Sequence, residues 1–296
     1  MTETTIGYCG NVHPGTTLAE VRQNLLTHSV AVQQTVQASE PLPVGLWLAS
    51  AVVEQLGDDG SVDSLGRWLD QHDLRPFTLN GFPFGDFHQA VVKHEVYQPT
   101  WRNASRLNYT IRLADIINRL LDAREVSDQQ MATISTLPLG WPTADFEYKS
   151  LREREHPFLV QCGANLIKLA HHLDRLSQAT GRITMVCLEP EPGCVLDTCD
   201  DVVNFFEHYL LGGDARQNEI VREHLGVCHD ICHSAVMFES QATAVGAYAD
   251  AGIRIGKAQI SSAISVNFDA GDQALIEQQL AELKQFAEPK YLHQTT

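Results

Sequence analysis

The chain has 296 residues, 44% of them hydrophobic and 20% charged, with a formal net charge of −16. That length and composition suit a globular protein with a large core. The acidic balance, with no run of Lys and Arg, argues against a nucleic-acid binder and against an anionic membrane surface.

No window approaches 18 consecutive apolar residues, so no transmembrane helix and no direct membrane insertion are expected. The start, "MTETTIGYCG", lacks the basic and apolar regions of a signal peptide. Seven scattered cysteines read as reduced, mostly buried thiols. A cytoplasmic location is the expectation.

In chain order, "TIGYCGNVHPG" reads as a short strand entering a loop, and "LAEVRQNLLTHSVAVQQTV" as a helix. "VGLWLAS" is a second strand. "SVDSLGRWLDQHDL" is a helix with Ser61 as its expected cap. "RPFTLNGFPFG" is a third strand ending in a Gly- and aromatic-rich loop, and "RLNYTIRLADIINRLLDA" is a strongly amphipathic helix. The fourth strand is "MATISTLPLGW". "NLIKLAHHLDRLSQATG" is a helix closed by a glycine, and "RITMVCLEPEPG" is the fifth strand. Helices "DVVNFFEHYLL" and "ARQNEIVREH" precede the sixth strand, "LGVCHD". "QATAVGAYADAG" is a short helix, "IRIGKAQISSAI" the seventh strand, and "DQALIEQQLAELKQFA" the last clear helix.

This alternation predicts a mostly parallel sheet covered by helices. Seven or eight such units fit an α/β fold of the (β/α)₈ TIM-barrel type better than a doubly wound sheet, whose Gly-rich phosphate turn is missing after strand one. No linker interrupts the pattern, so residues 1–296 are expected to form one domain.

In a barrel, chemistry sits where strands run into the loops that follow them. Strand one then offers His13, strand three Asn80, strand five Glu189 and Glu191, strand six Asp230 and His233, and strand seven Lys257, Gln259 and Ser261. The loop from Gly81 to about Ser105 carries five aromatics with His88 and His94. It suits either a lid over the site or an excursion packed by its own rings. Glu189 and Asp230 end neighbouring strands and are placed to meet on one ion, with His233 as a ligand or just behind one. Cys228 is expected inside the barrel and His229 toward the helices. Cys228 and Cys232 are spaced C-x₃-C, which fits neither a redox pair nor half of a zinc knuckle.

"LEPEPG" on one strand and D-x-x-H on the next resemble the xylose isomerase-like barrels, which include sugar isomerases, epimerases and endonuclease IV. Several longer stretches, "GYCGNVHPG", "TLNGFPFGDFH", "VVKHEVYQPTW", "STLPLGW", "CLEPEPGCVLDT" and "AQISSAI", resemble the EboE family of metabolite traffic proteins. The resemblance implies one divalent ion (Mn, Mg or Zn), with Glu189 and Asp230 as ligands and His233 near the substrate. It places Gln259 where the isomerases carry a histidine; an amide oxygen can bind a hard cation but is a poor zinc ligand. The isomerases' strand-eight glutamate has no visible counterpart. The barrel is therefore expected to lack its last βα unit here, unless Tyr291–Thr296 supplies it with His293 as a ligand.

On this reading the partner is a small metabolite, with other ebo-cluster proteins nearby. Glu189 moves protons, His233 holds a substrate oxygen, and Lys257 neutralises a phosphate or carboxylate or stays as an interior lysine. His13, Asn80, His88 and Glu191 line the substrate pocket, His13 alternatively stabilising its own turn. A binding barrel without turnover is the rival reading. Endonuclease-like phosphodiester cleavage lacks its further ligands and basic groove.

Overall fold

A computed structural model describes residues 5–36, 40–86, 93–122, 131–144, 146–153, 155–268 and 271–286. Its centre is one parallel sheet of seven strands in sequence order: β1 (Tyr8–Cys9), β2 (Leu42–Trp47), β3 (Leu74–Asn80), β4 (Met131–Thr136), β5 (Ile183–Leu188), β6 (Leu225–Asp230) and β7 (Ile255–Gln259). The sheet curls strongly. Lys257 on β7 donates to the Ser135 hydroxyl on β4 at 3.0 Å, across the interior and three strand positions away. Among the described residues, a seven-stranded curled sheet with outer helices is the barrel the sequence predicts, one unit short. Tyr291–Thr296, with His293, lies outside the described residues.

The helices are α1 (Leu18–Asn24), α2 (Val30–Val36), α3 (Ser50–Gln55), α4 (Asp59–Gln71), α5 (Ala104–Asp122), α6 (Pro157–Thr180), α7 (Cys199–Phe205), α8 (Ala215–His224), α9 (Ile231–Val236), α10 (Gln241–Asp250) and α11 (Gln273–Leu283). Ser61 does not cap α4. Asp58 does, its side chain accepting from Ser61 N at 2.8 Å. A carboxylate at the cap meets the helix's positive end as well as an orphan N–H, which a hydroxyl does less well. The glycine expected to close α6 does so: Gly181 takes φ 72°, a left-handed value an L side chain resists, and donates to Ser177 O at 2.8 Å.

Between sheet and helices lies the main core, with Leu65, Leu69, Leu113, Ile117, Leu166 and Leu169 on helices against Ile134, Val186 and Val227 on strands. Inside the curl sits a smaller apolar group of Met185, Cys187 and Cys228. Gly256 makes room for it: a Cβ there would lie 2.5 Å from Met185 Sδ and 2.7 Å from Cys187 Sγ. All seven cysteines are unpaired. No helix among the described residues is long and apolar enough to cross a membrane.

Arg106 on α5 holds the loop after β3. It is 0% exposed. Its guanidinium donates to Gly81 O at 2.8 Å, Phe82 O at 3.0 Å and Pro99 O at 2.9 Å. Burial pushes it down to about 10, which still leaves it charged at neutral pH. Phe82, Tyr97 and Trp101 in the same loop are buried, and Phe82 packs against Tyr97 at 5.8 Å between ring centroids. The described part of this loop is thus packed by its own aromatics.

Candidate active site

β5 and β6 are buried strands, β5 running into Glu189 and β6 ending on Asp230, so burial of the strands delivers those acids to one end of the curl. Glu189 follows β5, and its N–H donates to Thr136 O at the end of β4 at 3.0 Å. Asp230 ends β6 and also caps α9. Its Oδ1 accepts from Cys232 N at 2.8 Å, His233 N at 3.2 Å and Ser261 Oγ at 2.5 Å. One residue thereby fixes the strand end and the start of the helix that carries His233. Ser261 Oγ in turn accepts from Cys232 N at 3.2 Å.

Glu189, Asp230 and His233 each bring a ligand atom within 4.8 Å of the other two. Glu189 is 4% exposed and Asp230 7%. Gln259, facing them from β7, donates through Nε2 to Glu189 Oε1 at 2.6 Å and to Asp230 Oδ2 at 3.1 Å. Since both partners are carboxylates, the nitrogen must point at them. Glu189 Oε2 is buried with no hydrogen-bond partner among the described residues.

His233 Nδ1 donates to Pro190 O at 2.9 Å and lies 3.8 Å from Glu189 Oε1. That bond leaves Nε2 as the imidazole's working atom. Burial pushes the Glu189 carboxyl up to about 7; the positive His233 and Lys257 offset part of this, and Asp230 and Glu191 add to it. Burial would push the His233 imidazole down, but Glu189, Glu191 and Asp230 outweigh it and hold it above its usual value. A carboxyl group near 7 can take up and release a proton at physiological pH.

The donor set fits a divalent ion. Two carboxylates and an imidazole converge, and one carboxylate oxygen is buried and unpartnered; the Nδ1 proton of His233, on the ring nitrogen 3.8 Å from Glu189, is spent on a backbone carbonyl. Gln259 presents its nitrogen, so it would have to turn its amide to offer oxygen as a ligand.

The other predicted residues lie as follows. Lys257 is half-buried beside the cluster and bonded to Ser135, with no ion pair to an acid among the described residues. Glu191 is half-buried, with Cys194 Sγ 3.9 Å from its Oε2. Asn80 is buried, its Oδ1 accepting from Phe82 N at 2.9 Å. His13 bonds the Tyr8 hydroxyl at 2.7 Å and stacks on His28 with centroids 3.6 Å apart. His88 lies outside the described residues. Cys228 is buried in the interior, and His229 turns outward to Gln241 Oε1 at 2.6 Å. Burial pushes the Cys228 and Cys232 thiols up, the opposite of a reactive pair. Pairwise reading of strand ends missed the Asp230–Ser261 bond and the clamp made by Arg106. "AQISSAI" holds the first, two residues beyond Gln259; no pattern in the sequence marks the second.

No family model matches the chain, and no curated protein matches it significantly. Among solved structures, a D-tagatose 3-epimerase-like protein aligns with 99% of this chain and 91% of its own at 13% identity, with a TM-score of 0.51. A xylose isomerase-like TIM barrel protein from Mycobacterium smegmatis, in complex with magnesium, aligns with 83% of this chain and 71% of its own at 12% identity and TM-score 0.47. The IolI protein, with a bound zinc atom, aligns with 79% of this chain at 12% identity and TM-score 0.43, and this chain spans 66% of that one. The fold is that of the xylose isomerase-like TIM barrels.

Proposed function

We propose that this barrel isomerises or epimerises a small sugar- or polyol-like compound at Glu189, with one divalent ion held by Glu189 and Asp230 and with His233 beside it. The observation that carries the reading is the buried, half-unpartnered Glu189 carboxyl facing Asp230 and His233. When bound, the ion would draw electron density from a substrate carbonyl or hydroxyl oxygen. The ionised Glu189 carboxylate takes a proton from the carbon beside a carbonyl and delivers it to the former carbonyl carbon. Nε2 of His233 faces a substrate oxygen while Nδ1 stays on Pro190 O. Asp230 is held in place by Cys232, His233 and Ser261. Lys257 supplies positive charge beside Glu189 for a phosphate or carboxylate on the substrate. Ion identity among Mn, Mg and Zn follows from whether Gln259 joins as an oxygen ligand, which favours the harder cations.

The stretches resembling the EboE family support a place in the processing or traffic of a metabolite precursor, beside other ebo-cluster proteins. Seven unpaired cysteines support a cytoplasmic site of action. One observation favours a binding barrel without turnover: the Gln259 amide satisfies both carboxylates without any ion. Incubating the protein with Mn²⁺ and a panel of sugar and cyclitol phosphates, and following proton exchange from solvent into substrate, tests the two. Exchange lost in Glu189→Gln supports catalysis; tight binding without exchange supports the carrier.

A further inference from the structure

At the opposite end of the same two strands lies a second group of ligand-type side chains. His224 is the last residue of α8, directly before β6. Its Nδ1 donates to Thr184 O, near the start of β5, at 2.8 Å. A carbonyl oxygen only accepts, so Nδ1 carries a proton, and in the neutral imidazole Nε2 carries a lone pair. That Nε2 is buried and has no hydrogen-bond partner among the described residues, in a side chain 0% exposed. It points at two carboxylates: Glu223 Oε2 is 3.7 Å away, and one ligand atom each of Asp174, Glu223 and His224 lies within 4.8 Å of the others.

With the imidazole neutral, three acceptors face one another; Gln178 Nε2 donates to Asp174 Oδ2 at 3.0 Å. The Nδ1 proton is spent on Thr184 O, so it does not reach the carboxylates. Arg216 reaches one of them, donating to Asp174 Oδ1 at 2.9 Å. It does not reach the imidazole's lone pair in any described contact. A backbone-bonded histidine with two carboxylates is the ligand set of zinc with an open fourth position. Asp174 and Glu223 side chains are 15% and 39% exposed, which leaves the group reachable from solvent.

The geometry points to a second divalent-cation site, of zinc type, formed by Asp174, Glu223 and His224. It ties α6 and α8 to the start of β5. At ~3.3 Å per strand residue, Thr184 and Glu189 lie on the order of 15 Å apart, so this site is separate from the one at Glu189.

The test is zinc content after equilibrium dialysis of the chelator-stripped protein, for wild type, Glu223→Gln, Asp174→Asn, Arg216→Ala and Asp230→Asn. Glu223 is partly exposed, so its isosteric variant keeps the fold. Wild type is expected to hold one ion per chain more than Glu223→Gln or Asp174→Asn. Arg216→Ala should bind that ion several-fold tighter, because the guanidinium no longer competes for Asp174. Equal zinc in wild type and Glu223→Gln overturns the inference. The active-site reading stands or falls separately, on the ion lost in Asp230→Asn.

Discussion

Gln259 Nε2 lies 2.6 Å from Glu189 Oε1, and the same nitrogen reaches Asp230 Oδ2 at 3.1 Å. A neutral amide therefore occupies the space between two buried carboxylates. Whichever side chain stands at this position decides how the site treats an ion.

Gln259→His should bind zinc at least tenfold tighter at the Glu189 site than wild type, because an imidazole is a far better zinc ligand than an amide. Competition with a chromophoric chelator reads this directly. Unchanged affinity would mean that residue 259 stays outside the coordination shell.

Gln259→Leu removes the donor that both carboxylates share. Stability should fall by about 2 kcal/mol, since two buried acceptors lose their partner. Added Mn²⁺ should recover most of that loss. Urea denaturation with and without the ion measures both effects; a loss that Mn²⁺ leaves untouched counts against convergence on an ion.

The Glu189 carboxyl is raised from an ordinary 4.5 to about 7, chiefly by burial. Below about 4.5 the group is protonated both folded and unfolded, and its contribution is fully present. As pH rises toward 7 the unfolded chain releases the proton while the folded one keeps it, so stability declines. The raised His233 imidazole acts in the same direction, its contribution being lost as pH rises through its folded pKa. Over that window the Glu189 effect is on the order of 3 kcal/mol. In chelator, Glu189→Gln should flatten this decline, which thermal melts at pH 5 and pH 8 compare. An equally steep decline in the variant would contradict the raised pKa.

Arg106→Met should destabilise the chain by about 3 kcal/mol, leaving three backbone carbonyls without their buried donor. Arg106→Lys should not rescue it, because an ammonium cannot reproduce the planar fork. Limited proteolysis should then cut within residues 81–105 faster than in wild type. If Lys restores full stability, the clamp is simple charge.

Much of the site was legible because a parallel sheet converts strand ends into neighbours. Apolar runs ending in Glu189 and Asp230 had to bring those acids together once the strands paired in order. The D-x-x-H spacing likewise set His233 one helical turn from the Asp230 cap. What the sequence did not show depends on contacts far along the chain. The orientation of Gln259 follows from two carboxylates 70 and 29 residues away. Asp174 and His224 meet only because α6 and α8 pack at the same end of β5. The capping error at α4 was local, with Asp58, at the edge of an apparent turn, taking the position given to Ser61.

The most direct measurement is the divalent metal content of the purified chain beside that of Asp230→Asn and Glu189→Gln. Each variant should hold one ion per chain fewer than wild type while keeping its fold by circular dichroism. Equal metal content in wild type and both variants would contradict this, leaving the Glu189 cluster as a set of carboxylates balanced by Gln259 alone.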